Sequence, residues 1–181
     1  GEHKLMRGSH LRENMPVEQL DLVRYDKFLD LIKDSEKYKD ISSTRIVCQQ
    51  ITNMDSLKRL KFTMVEKNIV LGNSLNYITT SLSKNHLYGI MAILNSLLLD
   101  WVFRISSSNN HVNNYQLDNL PFIRNIKSLE KIGIMFISER TNILNASFSS
   151  AIENKVLDLY DCQEYKDFLK NNHPLGYRLG S

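Results

Sequence analysis

The chain of 181 residues is short of everything that staples or kinks a fold, with two cysteines, three prolines and seven glycines. Cys48 and Cys162 stand far apart and match no metal-ligand or redox spacing, so they read as reduced thiols of a cytoplasmic protein. The five histidines are scattered, and no zinc site is expected. The glycines form no G-x-G-x-x-G or phosphate-loop pattern, the prolines are isolated, and no nucleophile elbow is present. There is no signal peptide. The longest apolar run, residues 87–102, is broken by Asn95, Ser96 and Asp100 and is too short and too polar to span a bilayer, so no membrane partner is expected. Asp158, Asp161 and Glu164 with Lys166 offer carboxylates and a lysine, as a metal-dependent nuclease needs, but their spacing is ordinary patterning of a helix surface.

What remains is an ordinary soluble composition, with 42% apolar and 24% charged residues and a mean hydropathy of −0.32. That is enough for one domain, or a domain with a helical appendage. A net charge of +3 suits a polyanionic partner without requiring one.

Periodicity divides the chain. Residues 1–14 show none and carry the Gly-Ser-His of a cloning remnant, so they are expected to lie outside the fold, and the chain is expected to be a piece of a larger protein. Residues 15–42 read as a helical segment, with Pro16 in a first turn and Leu20, Val23 and Leu31 on neighbouring turns. A strand-rich block follows: residues 45–51, then Leu60, Phe62 and Met64 in alternation, a tight turn at Glu66-Lys67-Asn68, residues 69–71, and residues 74–80. Residues 84–105 predict a buried helix capped by Ser83, with Trp101 in the core. Residues 111–117 are expected to add a short strand. Helices are predicted over 126–145, 150–160 and 164–171, and residues 173–181 are expected to be a loose tail. The fold class is α+β, a small mixed and mostly antiparallel sheet packed on a buried helix and flanked by helical segments.

Five segments stand here in a set order. A strand with a basic start, Arg-Ile-Val-Cys-Gln-Gln-Ile at 45–51, precedes Lys-Arg-Leu-Lys-Phe at 58–62 and Gly-Asn-Ser-Leu-Asn-Tyr-Ile at 72–78. An apolar helix then ends on Leu-Asn-Ser at 94–96, and Leu120-Pro121-Phe122 closes the set. In this order the segments resemble the TaqI-like C-terminal specificity family, the target-recognition domain of restriction-modification adenine methyltransferases. The resemblance covers residues 43–122. Residues 151–160 also resemble a helix that follows such domains and ends in Leu-Tyr-Gly, although Asp161 stands where that glycine would be.

The resemblance implies that residues 43–123 read double-stranded DNA, flanked by C-terminal helices over 124–172. Methyl transfer needs a cofactor loop and an Asn/Asp-Pro-Pro-aromatic motif, and neither occurs. The chain alone is therefore expected to be non-catalytic, with no cofactor of its own. S-adenosylmethionine, the methyltransferase chemistry and any nuclease would belong to other domains of a prokaryotic parent protein. Three alternatives are a specificity subunit of a multi-subunit restriction system, a protein-interaction module built on the C-terminal helices, and a small enzyme, which the missing motifs disfavour.

Residue chemistry nominates three polar clusters. Gln49, Gln50, Asn53, Lys58, Arg59 and Lys61 form one strand–loop–strand unit, Asn73, Ser74, Asn76 and Tyr77 a second, and Arg104, Asn109, Asn110 and His111 a third. Amides suit adenine edges, and Arg and Lys suit guanine or phosphate. Asn73 also reads as a turn residue after Gly72. Lys58, Arg59 and Lys61 divide between phosphate contact and ordinary surface. Asn95-Ser96 reads as a buried packing and hydrogen-bonding device.

Overall fold

The computed structural model describes residues 2–12, 19–24, 36–79, 81–138 and 150–180. The predicted β block is there: β3 (Arg45–Gln49) is the centre of an antiparallel sheet in the order β4-β3-β6, with β4 (Phe62–Val65) and β6 (Leu75–Thr79) on its flanks. Ile46 lies opposite Met64 on one side and Ile78 on the other. The strand alternates between two cores. Ile46 and Cys48, with Phe62 and Met64, join the large helical core, whereas Val47 and Val65 turn to a smaller cluster with Met6, Leu11, Leu20, Ile69 and Leu75.

The smaller cluster belongs to a second sheet, whose order is β2-β1-β5. β1 (Glu2–Met6) pairs antiparallel with β2 (Asp21–Arg24) and parallel with β5 (Ile69–Leu71). The chain passes from β4 to β5 through the expected tight turn, where Asn68 has φ 68°. Buried Arg45 ties that turn down. Its guanidinium donates to Ile69 O at 2.6 Å, Glu66 O at 3.3 Å and Ser43 O at 3.1 Å.

Two expectations fail at this sheet. Residues 2–12 are not an appendage: Leu5, Met6 and Leu11 are buried, and α1 (Gly8–Arg12) is fixed by the Gly8 N–H donating to Ser74 Oγ at 2.9 Å. Residues 21–24, read as part of a helix, form a strand instead, because the ladder offered by β1 outweighs their local helical spacing. α2 (Glu36–Ile41) lies inside the predicted helical segment, while Pro16 and residues 25–35 fall outside the described residues.

The buried helix predicted over 84–105 is two helices, α3 (Lys84–Leu94) and α4 (Leu97–Ser106), bent by 54°. Asn95 makes the break useful. Fully buried, its Oδ1 accepts from the Phe62 N–H at 2.7 Å and its Nδ2 donates to Phe62 O at 2.9 Å, so it pairs with β4 as a further strand would. Ser96 caps α4 by accepting from the Leu99 N–H at 3.3 Å. Trp101 is half-buried rather than in the core, set edge-to-face on Phe168 with ring centroids 5.4 Å apart.

The strand expected at 111–117 is reduced to one bridge, Ile51 with His111, followed by α5 (Asn114–Asp118). α6 (Ile126–Ser138) packs against α3 at very close range, since a Cβ on Gly133 would fall 2.0 Å from Asn85 O and one on Gly89 would fall 2.1 Å from Leu129 O. The end of the helix predicted to residue 145 lies outside the described residues. α7 (Ser150–Leu159) ends with Asp161 at φ 53° and the Cys162 N–H on Leu157 O at 2.8 Å, the left-handed cap that a glycine would ordinarily supply. A 3-10 turn (Gln163–Tyr165) leads into α8 (Lys166–Asn172). The tail is not loose. His173, Leu175 and Leu179 are buried, and Gly176–Leu179 forms another 3-10 turn.

Candidate nucleic-acid interface

β3 runs out at Gln49, and the chain leaves the sheet until β4 begins at Phe62. The loop between them is held on both sides. The Gln50 N–H donates to Ser74 O at 2.9 Å, while the Thr52 N–H donates to Asn110 O at 2.8 Å and the Val112 N–H to Gln50 O at 2.6 Å.

From beneath, Arg59 joins this loop to the one at 107–110. Its side chain is only 1% exposed and lies 5.3 Å from the Phe103 ring centre. Nε donates to Thr52 Oγ1 at 2.8 Å, Nη1 to Ser107 Oγ at 2.9 Å and Nη2 to Asn109 O at 2.9 Å. A planar five-donor group suits this bracing as a lysine would not.

The backbone at Arg59 is fixed by Asp100 of α4. Asp100 Oδ1 accepts from the N–H groups of Arg59 and Leu60 at 2.7 and 2.8 Å, and Oδ2 accepts from Arg104 Nε at 2.8 Å. The fourth donor is His173 Nε2 at 2.7 Å. Because the Leu175 N–H donates to His173 Nδ1 at 2.9 Å, the ring proton sits on Nε2. Burial pushes the Asp100 carboxyl up, but the bonds from His173, Arg104 and the Leu60 N–H, with the Lys58 charge, outweigh it and leave the pKa below its ordinary value.

Over this support lies an open cleft of about 450 Å³. Arg12, Lys58, Lys61 and Arg178 line it together with Gln49, Thr52, Asn53, Ser56 and three apolar side chains, and among the described residues none that lines it is acidic. Lys58 forms part of the cleft, with its ammonium hydrogen-bonded to the Asn95 carbonyl. Burial pushes its pKa down, opposed by Glu153 and Asp100. Glu153, buried on α7, accepts from the Leu97 N–H at 3.0 Å, and burial pushes its pKa up. Lys61 is half-buried, and burial pushes its pKa down to about 8. Such a cleft offers cations to phosphate oxygens and amides to base edges.

The structure brings together only part of the predicted set. Gln49, Asn53, Lys58 and Lys61 share the cleft. Asn109, Asn110 and His111 lie exposed on the loop bonded to Thr52. Gln50 is half-buried against β6, its amide donating to Leu75 O at 3.4 Å. Others are internal struts. Arg59 is buried and its guanidinium is committed to the two loops, and Arg104 donates to Asp100 and to Ser56 O at 2.6 Å. Asn76 donates to Val112 O at 2.8 Å, and Ser74 accepts from Gly8. The Tyr77 hydroxyl donates to Asp40 Oδ2 at 2.6 Å, and that bond raises the phenol pKa. Asn76 and Tyr77 line a different hollow, beside Ile46, Leu94 and Leu117. Asn73 sits exposed in the turn after Gly72, as its turn reading required. Arg12 and Arg178 were missed, because each lies in a segment set aside as unstructured.

A mixed α+β unit with a basic cleft, lined among the described residues by cations and amides and no carboxylate, has the outline of a nucleic-acid-reading module. The chain belongs to the TaqI-like C-terminal specificity domain family, which matches residues 5–122. Its role is therefore DNA sequence recognition in restriction-modification. The match begins 38 residues before the resemblance read at position 43 and takes in β1, α1 and β2. No curated protein and no solved structure matches the chain.

Proposed function

We propose that this chain is the sequence-reading domain of a prokaryotic, cytoplasmic adenine-N6 DNA methyltransferase, or of a restriction enzyme fused to one, and that duplex DNA is held at the Gln49–Lys61 cleft. The observation that carries this reading is the cleft itself, where cations and amides converge with no acidic side chain among the described residues that line it. Lys61 and Arg12 neutralise phosphates and set the register, and Gln49 and Asn53 touch base edges. S-adenosylmethionine does not fit here: a cation-lined cleft repels its sulfonium, and among the described residues that line it no carboxylate is present to hold the ribose hydroxyls. The cofactor and the transfer chemistry belong to another domain of the parent protein.

Fluorescence anisotropy with a randomised duplex pool at two salt concentrations tests the reading. Binding should weaken steeply with salt. Lys61→Ala and Arg12→Ala should weaken it for all sequences alike, while Gln49→Ala or Asn53→Ala should change the preferred sequence by about 1–3 kcal/mol per lost bidentate contact. An absence of binding at low salt, or binding indifferent to all four substitutions, rules the cleft out.

A further inference from the structure

We infer that the DNA interface runs past the specificity fold onto the C-terminal segment, where Arg178 contacts the phosphate backbone. This rests on the reading of the cleft as a DNA site. The family match stops at residue 122, yet Leu175 and Arg178 help to line the cleft.

Their position is not incidental to a wandering end. Leu175 and Leu179 are buried on either side of Arg178, and Asn154 Nδ2 donates to Leu179 O at 2.9 Å. Gly176 presses the turn onto α8 so closely that a Cβ there would fall 2.3 Å from Leu169 O. His173 bonds the segment to Asp100, the carboxylate that also fixes the backbone at Arg59 and Leu60.

The backbone at Arg178 is therefore held in register with the reading loop, while its guanidinium has no hydrogen-bond partner among the described residues. Arg178 lies near enough to Lys58 to disfavour that lysine's charge. The buried Glu153 carboxylate acts on both cations, yet the donors of the Arg178 guanidinium, which lines the cleft, stay open to an anion entering it. The spacing of cations along one cleft suits a polyanion tracked over several phosphates.

The test uses the whole chain. With a randomised duplex pool, Arg178→Ala should weaken binding to all sequences alike and make the log–log salt slope shallower by about 0.9, the share of one phosphate. Arg178→Lys should keep most of that slope, and Lys131→Ala, an exposed position on α6, should leave affinity unchanged. A second measurement needs no variant. Phenylglyoxal modification of the unaltered chain, read by mass spectrometry, should show Arg178 protected by DNA and Arg124 not. If Arg178 is modified equally with and without DNA, or if Arg178→Ala keeps the full slope while Lys61→Ala loses affinity, the extension is wrong and the cleft reading stands. If the unaltered chain binds no duplex at low salt, both fall.

Discussion

Lys61 is one of two cleft lysines whose charge burial weakens, Lys58 being the other. The Lys61 ammonium is half-buried in the cleft, with a pKa pushed down to about 8 by that burial. It is mostly charged near neutrality and mostly neutral a unit above its pKa, so its pull on phosphate weakens as pH rises. Affinity for duplex DNA should fall up to about tenfold between about pH 7 and about pH 9 through this group. Lys61→Arg, which stays charged, should recover most of the loss in anisotropy titrations at the two pH values. An equal loss in both proteins would remove Lys61 from the interface. Residue type alone could nominate Lys61 but could not separate it from Arg59 two positions earlier. The difference lies in burial: Arg59 finds acceptors on Thr52, Ser107 and Asn109, and two of those lie about fifty residues away in sequence. Nothing local to residues 58–61 announces them.

Among the elements, the pairing of α3 with α6 is the least forgiving. Gly89 and Gly133 let the two backbones approach until a methyl group has no room, with carbonyl oxygens about 2 Å from where it would sit. Gly133→Ala should therefore cost about 3 kcal/mol or more, the upper end of overpacking, measured as a lower urea midpoint with an unchanged slope. A loss under about 0.5 kcal/mol would show that the helices simply slide apart. β3, β4 and β6 were legible because each alternates or runs apolar between turn residues, and the Lys67-Asn68 turn and the helix ending at Leu159 carried local signals. The break at Asn95-Ser96 was legible as a polar device but not as a bend of 54°, since the bend answers to the backbone of Phe62, more than thirty residues earlier. β2 was illegible for a similar reason: its partner, β1, is the short run that looked like a cloning remnant.

Over the whole molecule, one core runs from Ile46 and Phe62 through α3 and α4 to Leu169, Leu175 and Leu179. The specificity fold and the segment after it therefore share their interior. They should unfold together, with the fluorescence of the single tryptophan, Trp101, and far-UV circular dichroism reporting one midpoint in urea. Two separated midpoints would mean that the C-terminal helices are an independent unit.

The brace formed by Arg59 has a consequence for how such a protein can diverge. Arg59 and Asp100 shape the loop entirely from inside, whereas the Gln49 and Asn53 side chains make no hydrogen bond among the described residues. Exchange at positions 49 and 53 thus leaves the loop standing, at a folding cost within about 0.5 kcal/mol. Exchange at 59 or 100 strands several buried polar groups at once, each costing about 1–3 kcal/mol. New sequence preferences are open to this protein by single steps at the cleft, with the chassis beneath left untouched.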